Sequence, residues 1–199
     1  MSIELPTVCV HSVAEAFLYL MTVRCPRCGD GPVRESGELT RRASEPGGWA
    51  LNAACAKCGA AMVSHYRVEP MPTHESAASD LINPTGERSH AIDLLGWLTL
   101  FQSILTASQS QKDKKVGRQL AWEAAQCLDE AMKFYDRDNE MPGEDAFFTD
   151  DARLRFREHP EKFARSKWRQ RRMMMPDARV ATRSKPGRRW WQFWRPQES

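Results

Sequence analysis

The spacing of apolar residues along the chain changes period twice. Val13, Phe17, Leu20 and Met21 recur three and four positions apart, the spacing of one helical face. Ser12-Val13-Ala14-Glu15 stands at the head of this helix as a capping box. The hydroxyl takes a free backbone N–H and the carboxylate reaches back to the cap. Upstream, "TVCVHS" alternates as a short strand with Cys9 and His11 on one face, read as a buried thiol and a capping imidazole. Between residues 30 and 68 the pattern shortens to two. Met62, Ser64 and Tyr66 fall on one face, Val63, His65 and Arg67 on the other, and "EPGG" at 45–48 is a turn signal. Two or three antiparallel strands are expected here, and the first helix should run directly into residue 25.

The longer period then returns. Glu69 to Ser89 contains three prolines and many small polar residues, and reads as a linker or surface loop. Residues 90–107 are apolar on most sides and predict a largely buried helix. Residues 113–136 carry a cleaner stripe through Val116, Leu120, Ala124, Cys127, Leu128, Ala131, Phe134 and Tyr135, so "SQSQ" should close an antiparallel hairpin. "NEMPGEDAFF" interrupts the pattern. Thr149 reads as the N-cap of a helix ending at His159, and Pro160 suits the first turn of another over 160–175. After Pro176 no period survives. The expected class is α+β, with an N-terminal helix and β module over 1–69, a linker over 70–88, a helical domain over 89–175 and a flexible tail over 176–199.

Charge sharpens this division. Arg153 to Ser199 holds fifteen Lys and Arg against four Asp and Glu, a net of +11, while residues 1–152 carry −8. No cationic n-region precedes the first apolar run, and "LLGWLTLFQSIL" is about half the ~20 residues of a membrane span. A cytoplasmic location is therefore expected. In a reducing compartment, paired cysteines serve more often as metal ligands or redox centres than as structural disulfides.

Such pairs are present. "RCPRCG" at 24–29 returns as "ACAKCG" at 54–59, placing Cys25, Cys28, Cys55 and Cys58 in two C-x2-C knuckles separated by 26 residues. A two-residue spacing lets both thiolates of a knuckle face one ion, and the glycine that follows each (Gly29, Gly59) can adopt the positive φ of a tight turn. Two knuckles complete a four-sulfur tetrahedron, which favours Zn²⁺. Iron, an Fe–S cluster and redox disulfides are the alternatives, but a thioredoxin-like motif would need a βαβ context that is not visible. Residues 24–68 resemble a zinc ribbon of the rubredoxin-like, zinc-finger kind. The resemblance implies one structural zinc, held by all four thiolates with no open position for water or substrate. Short strands bury little surface, whereas structural zinc contributes on the order of 10–16 kcal/mol in small peptides. The gap exceeds the ~15–20 residues of the usual spacing, which points to an enlarged central hairpin.

Other candidates carry less. Cys9 and His11 offer, as the alternative to their core and capping roles, a fifth or replacement ligand; His65, beside the second knuckle, is a candidate donor to a ligand sulfur, and Cys127 reads as core. His74 and His90 stand in linker and helix-start positions. The paired acids Asp129-Glu130, Asp136/Asp138 and Asp150-Asp151 lack accompanying His, Ser or Lys and read as caps and solvated faces, so a non-enzymatic protein is expected. In the tail, Arg188, Arg189, Trp190, Trp191, Phe193 and Trp194 form an Arg/aromatic run joined in composition by Trp168 and its neighbours. Disordered tails ordinarily avoid aromatics, so these residues are candidates for partner binding. The leading expectation is a protein-interaction or adaptor module with a protein partner. A nucleic-acid-binding regulator using the ribbon and tail is the alternative, and peripheral contact of the tail with an anionic membrane is a third reading.

Overall fold

The computed structural model describes residues 2–41, 48–69, 81–136 and 138–176. Most of the "EPGG" turn, the segment 70–80 with His74, and the tail beyond Pro176 with its six candidate residues lie outside the described residues. The fold is α+β: among the described residues, a mixed five-stranded sheet with five α-helices. Two compact units divide between Thr85 and Gly86.

In the first unit, β1 (Ile3–Glu4) and β2 (Val8–Val10) precede α1 (Val13–Thr22). Then follow β3 (Val33–Arg41), β4 (Gly48–Cys55) and β5 (Ala61–Val68). The last three form an antiparallel meander, with Val33 opposite Cys55 and Ala54 opposite Ala61. Both β1 and β2 add to β5 in parallel, pairing Ile3 with Met62 and Val8 with Tyr66. The apolar pattern gives no hint of these two parallel additions, because pairing across some sixty residues leaves no local mark. Alternation along β5 is as expected: Met62, Ser64, Tyr66 and Val68 are buried. Tyr19 of α1 meets Tyr66 edge-on, with centroids 6.2 Å apart. Fully burying a side chain such as Leu18, Leu51 or Met62 stabilises by about 1.5–3 kcal/mol.

The cap of α1 differs in one detail from expectation. Ser12 Oγ accepts the Glu15 N–H at 3.1 Å, but the Glu15 carboxylate takes the N–H of His11, at 2.5 Å, one residue before the cap. The buried face runs through Ala14, Leu18 and Leu20, while Val13, Phe17 and Met21 are half-buried. Sequence periodicity places the stripe one step around the wheel from this face, because the small side chain of Ala14 signals burial weakly. α1 ends at Thr22 and, as expected, delivers the chain to the Cys25 knuckle. Within the expected linker, Ile82 and Asn83 are buried and the Ile82 carbonyl accepts the Ser12 hydroxyl, so this part is packed rather than laid on the surface.

The second unit opens with α2 (Leu94–Ser110) and α3 (Lys114–Met132), which fold back on one another. Asp93 starts α2 by accepting the Gly96 N–H at 2.8 Å, so the first helical residue stands four positions later than the apolar run suggests. At the far end, Ser108 Oγ donates to the Gly117 carbonyl at 2.7 Å. A 3-10 turn (Glu144–Ala146), α4 (Asp150–Glu158), a second 3-10 turn (Pro160–Phe163) and α5 (Arg165–Met173) complete the unit. Thr149 caps α4 through the Ala152 N–H at 3.2 Å, and the helix stops before His159 as Pro160 requires. The single helix expected over 160–175 is instead split at Ala164. There Glu140 caps α5 from outside, its carbonyl accepting the Arg165 N–H (2.8 Å) and its carboxylate the Ser166 N–H (2.9 Å). Phe147 stacks on Phe156 at 4.6 Å, and both meet Phe163 edge-on, forming an aromatic core beneath the turns.

Candidate metal centre

The two knuckles are built alike. In each, the first cysteine accepts from the glycine after the second: the Gly29 N–H donates to the Cys25 carbonyl (2.8 Å), the Gly59 N–H to the Cys55 carbonyl (3.0 Å). Closing that turn requires a left-handed residue, and Gly29 (φ +70°) and Gly59 (φ +68°) alone among the described residues have positive φ. The Ala56 N–H donates to the Pro32 carbonyl at 3.0 Å, stitching one knuckle to the strand leaving the other. Cys55 ends β4 opposite Val33 at the start of β3, so the meander brings the distant pairs together.

The result is a four-sulfur cluster. Sγ atoms of Cys25, Cys28, Cys55 and Cys58 all lie within 4.8 Å of one another. Cys25 to Cys58 and Cys28 to Cys55 are each 3.7 Å apart, too long for a disulfide bond, and every cysteine is a free thiol. A tetrahedral site with metal–sulfur bonds of about 2.3 Å has edges of about 3.8 Å. The cross-knuckle distances match that edge, so the donor set fits a tetrahedral, thiophilic metal. Cys25 and Cys55 are buried, Cys28 is half-buried and Cys58 is exposed.

Backbone dipoles surround the sulfurs. Cys55 Sγ accepts the N–H of Lys57 at 3.4 Å and of Cys58 at 3.5 Å. The N–H groups of Asp30 and Gly31 serve Cys28, and that of Ala60 serves Cys58. Donation from Asp30 and Gly31 brings the Cys28 thiol down to about 6, and the Cys58 and Lys57 N–H groups lower Cys55 despite burial. For Cys58 the Ala60 N–H also lowers the pKa, but desolvation and the three neighbouring sulfurs together push it up to about 11. Thiolates this close repel one another, and a divalent cation among them would let all four ionise together.

A residue missed in the sequence completes the packing. A β-carbon on Gly31 would fall 2.3 Å from Cys55 Sγ and 2.9 Å from Lys57 Cβ, so only glycine lets the first knuckle approach the second. The run "CGDG" holds that signal, but not the identity of the neighbour. Outside the cluster, Lys57 and Asp30 pair at the exposed tips of the two knuckles.

The other candidates are placed elsewhere. Cys9 is half-buried in β2, opposite Arg67, and is not in the four-sulfur group. His65 bonds the Glu4 carboxylate across the β1–β5 pair rather than a sulfur. Cys127 is fully buried in α3, and burial raises its thiol pKa well above the ordinary value. Trp168 belongs to the core, not to an exposed aromatic run: it meets Phe101 edge-on at 6.1 Å, and its indole N–H donates to the Lys162 carbonyl at 2.9 Å. Of the paired acids, Asp129 forms a two-pronged pair with Arg172 (2.7 and 3.0 Å), Glu130 pairs with Lys133, Asp150 with Arg153 and Asp151 with Arg155. Among the described residues no helix is long and apolar enough to cross a membrane.

No family model matches the chain, and neither the curated proteins nor the solved structures include a significant match.

Proposed function

We propose that the chain is a non-enzymatic zinc protein in which one structural four-cysteine centre of the zinc-ribbon kind organises a protein-interaction module. The observation that carries this reading is the cross-knuckle sulfur spacing of 3.7 Å, the edge of a tetrahedral thiolate shell. Four protein sulfurs fill a tetrahedron and leave no position for water or substrate, the mark of a structural rather than a catalytic site. Four thiolates around a divalent ion carry a net charge of −2. The N–H donors to Cys28, Cys55 and Cys58 offset part of that charge. Zinc is preferred to redox-active iron because a buried structural role calls for no electron transfer and d¹⁰ zinc imposes no geometry of its own.

Protein purified under reducing conditions is expected to contain about one zinc per chain. Replacing the metal with Co²⁺ should produce the visible absorption of tetrahedral thiolate coordination, and Cys55→Ser should lose both signals. A folded wild-type chain free of metal by native mass spectrometry would end this reading. The adaptor role is tested separately, by affinity purification of wild type and Cys55→Ser after nuclease treatment. A specific protein partner whose binding changes little with salt supports it. Binding that nuclease abolishes and salt weakens steeply replaces it with nucleic-acid recognition.

A further inference from the structure

The cations of α4 and α5 are treated differently by the fold. Each arginine of α4 faces an acid: Arg153 pairs with Asp150, Arg155 with Asp151 and Arg157 with Glu144. In and before α5, Lys162, Lys167, Arg169 and Arg171 are exposed, and none is ion-paired among the described residues. Trp168 holds two of them, Lys167 and Arg171, over its ring. Its indole N–H binds the Lys162 carbonyl, while Lys167 and Arg171 sit 5.5 and 5.2 Å from its ring centre, i and i+4 on the helix. Like charges at that spacing destabilise a helix. The favourable dipole at a helix C-terminus accounts for Arg171 and its neighbour Arg172, but not for Lys162, Lys167 or Arg169. Lys167 and Arg171 line one flank of α5 and Arg169 the other, and uncompensated cations exposed along a helix mark contact with an anion-bearing partner.

Two further observations select the class of partner. The indole of Trp168 is buried, so it cannot stack on a nucleic-acid base. The large apolar side chains exposed at the end of α5 are Met173 and Met174, 73% and 72% accessible, and Met173 lies one turn beyond Arg169. Flexible thioethers beside cations suit the boundary between lipid headgroups and acyl chains, and the sequence beyond Pro176 continues with Arg and Trp, the side chains favoured there. We propose that α5 is a docking surface for an anionic phospholipid membrane, its cations meeting headgroup phosphates and carboxylates while Met173 and Met174 enter the interface. This rests on α5 and the sequence that follows it, and is independent of the metal centre.

The test uses the whole chain, metal-loaded as purified, in co-sedimentation with vesicles of phosphatidylcholine alone and of phosphatidylcholine with about one-third phosphatidylserine. Binding is expected only to the second and should weaken as salt rises. Each cation near an anionic leaflet contributes about 1 kcal/mol, or roughly fivefold, so Lys162→Gln with Arg169→Gln should lower partitioning about 25-fold. This pair leaves Lys167 and Arg171 over the Trp168 ring, and an unchanged thermal transition checks that the fold is intact. The single substitutions repeat the test at about fivefold each. Met173→Ser with Met174→Ser should weaken binding without altering its salt dependence. Equal binding to both vesicles, no binding to either, or full binding by the Lys162/Arg169 variant (the tail acting alone) would overturn the proposal. So would binding to duplex or single-stranded DNA oligonucleotides with none to vesicles, which would make nucleic acid the partner.

Discussion

Two glycines beside the same sulfur cluster fail in different ways when given a side chain. Gly29 holds φ +70° with open space around its missing β-carbon, whereas Gly31 has no such backbone demand but meets Cys55 Sγ at 2.3 Å. Gly29→Ala should therefore cost about 1–2 kcal/mol of stability from left-handed strain and retain its metal. Gly31→Ala should displace a ligand sulfur and lose metal. Metal content per chain together with thermal unfolding separates the two, and equal metal retention would show that the cluster tolerates a shift of Cys55. The cysteines and Gly29 and Gly59 are legible in the sequence because a knuckle is local, its chemistry contained within five residues. Gly31 is not, since its contact is made by a residue twenty-four positions away. For the same reason His65 looks like a sulfur donor from its nearness in sequence, while the parallel β1–β5 pair gives it to Glu4 instead. The thiols add a dependence on pH. With Cys58 pushed up to about 11, metal binding at neutral pH must displace protons, so affinity should fall as pH drops and protons compete for the sulfurs. A zinc-chelator titration from mildly alkaline to mildly acidic pH should show that monotonic loss; affinity independent of pH would mean that the ligands are not thiols.

Helix boundaries set by local chemistry are readable, and those set from a distance are not. Ser12, Thr149 and Pro160 act on backbone groups within four residues, and all three act where the sequence places them. The break at Ala164 is imposed by Glu140, twenty-four residues earlier, which no periodicity can report. Glu140 gives that break a pH signature. Hydrogen bonds from the Ser166 hydroxyl and N–H hold its pKa below the usual glutamate value. A depressed carboxylate contributes stability that is present above its unfolded pKa and is lost as pH falls through the folded one. Wild-type stability should accordingly decline below about pH 4.5 more steeply than that of Glu140→Gln, as measured by thermal melts at stepped pH. Parallel curves would show that the cap contributes no linkage. Nearby, the sequence marks Phe147 only as part of an interruption, yet it is fully buried between Phe156 and Phe163. Phe147→Ala should cost about 3–5 kcal/mol, the loss expected for a buried aromatic that leaves a cavity. A change under about 1 kcal/mol in denaturant titration would mean that the turns collapse to fill the space.

The α+β class is legible for the whole molecule because the change of period, from two before residue 69 to about 3.6 after residue 90, is a property of long segments. What the period does not reveal is how much core the first unit has apart from the metal proposed for its four-sulfur site. Short strands suggest a module folded by zinc alone, but β3, β4 and β5 run nine, eight and eight residues, and Leu18, Leu51, Met62 and Tyr66 are buried in the first unit. The cysteines sit at one end of that sheet, where β3 begins and β4 ends. Removing the metal should therefore leave two separable effects. In the first unit, loss of four thiolate bonds leaves Cys25 and Cys55 buried beside repelling neighbours, lowering the stability of the knuckles and the strand ends attached to them. In the second unit, which supplies four of the five α-helices among the described residues, nothing in the core involves a ligand of the four-sulfur site. Treatment with a strong chelator should shift a first unfolding transition to lower temperature while a second stays within the error of the measurement. Most of the helical circular dichroism should also survive at temperatures where the knuckles have already lost protection from hydrogen exchange. Collapse of all helical signal on chelation would show that the helices depend on the cysteine module and that the two units fold as one. A chelator that changed neither transition would show instead that the β core holds the knuckles without metal, removing the energetic basis for a structural zinc.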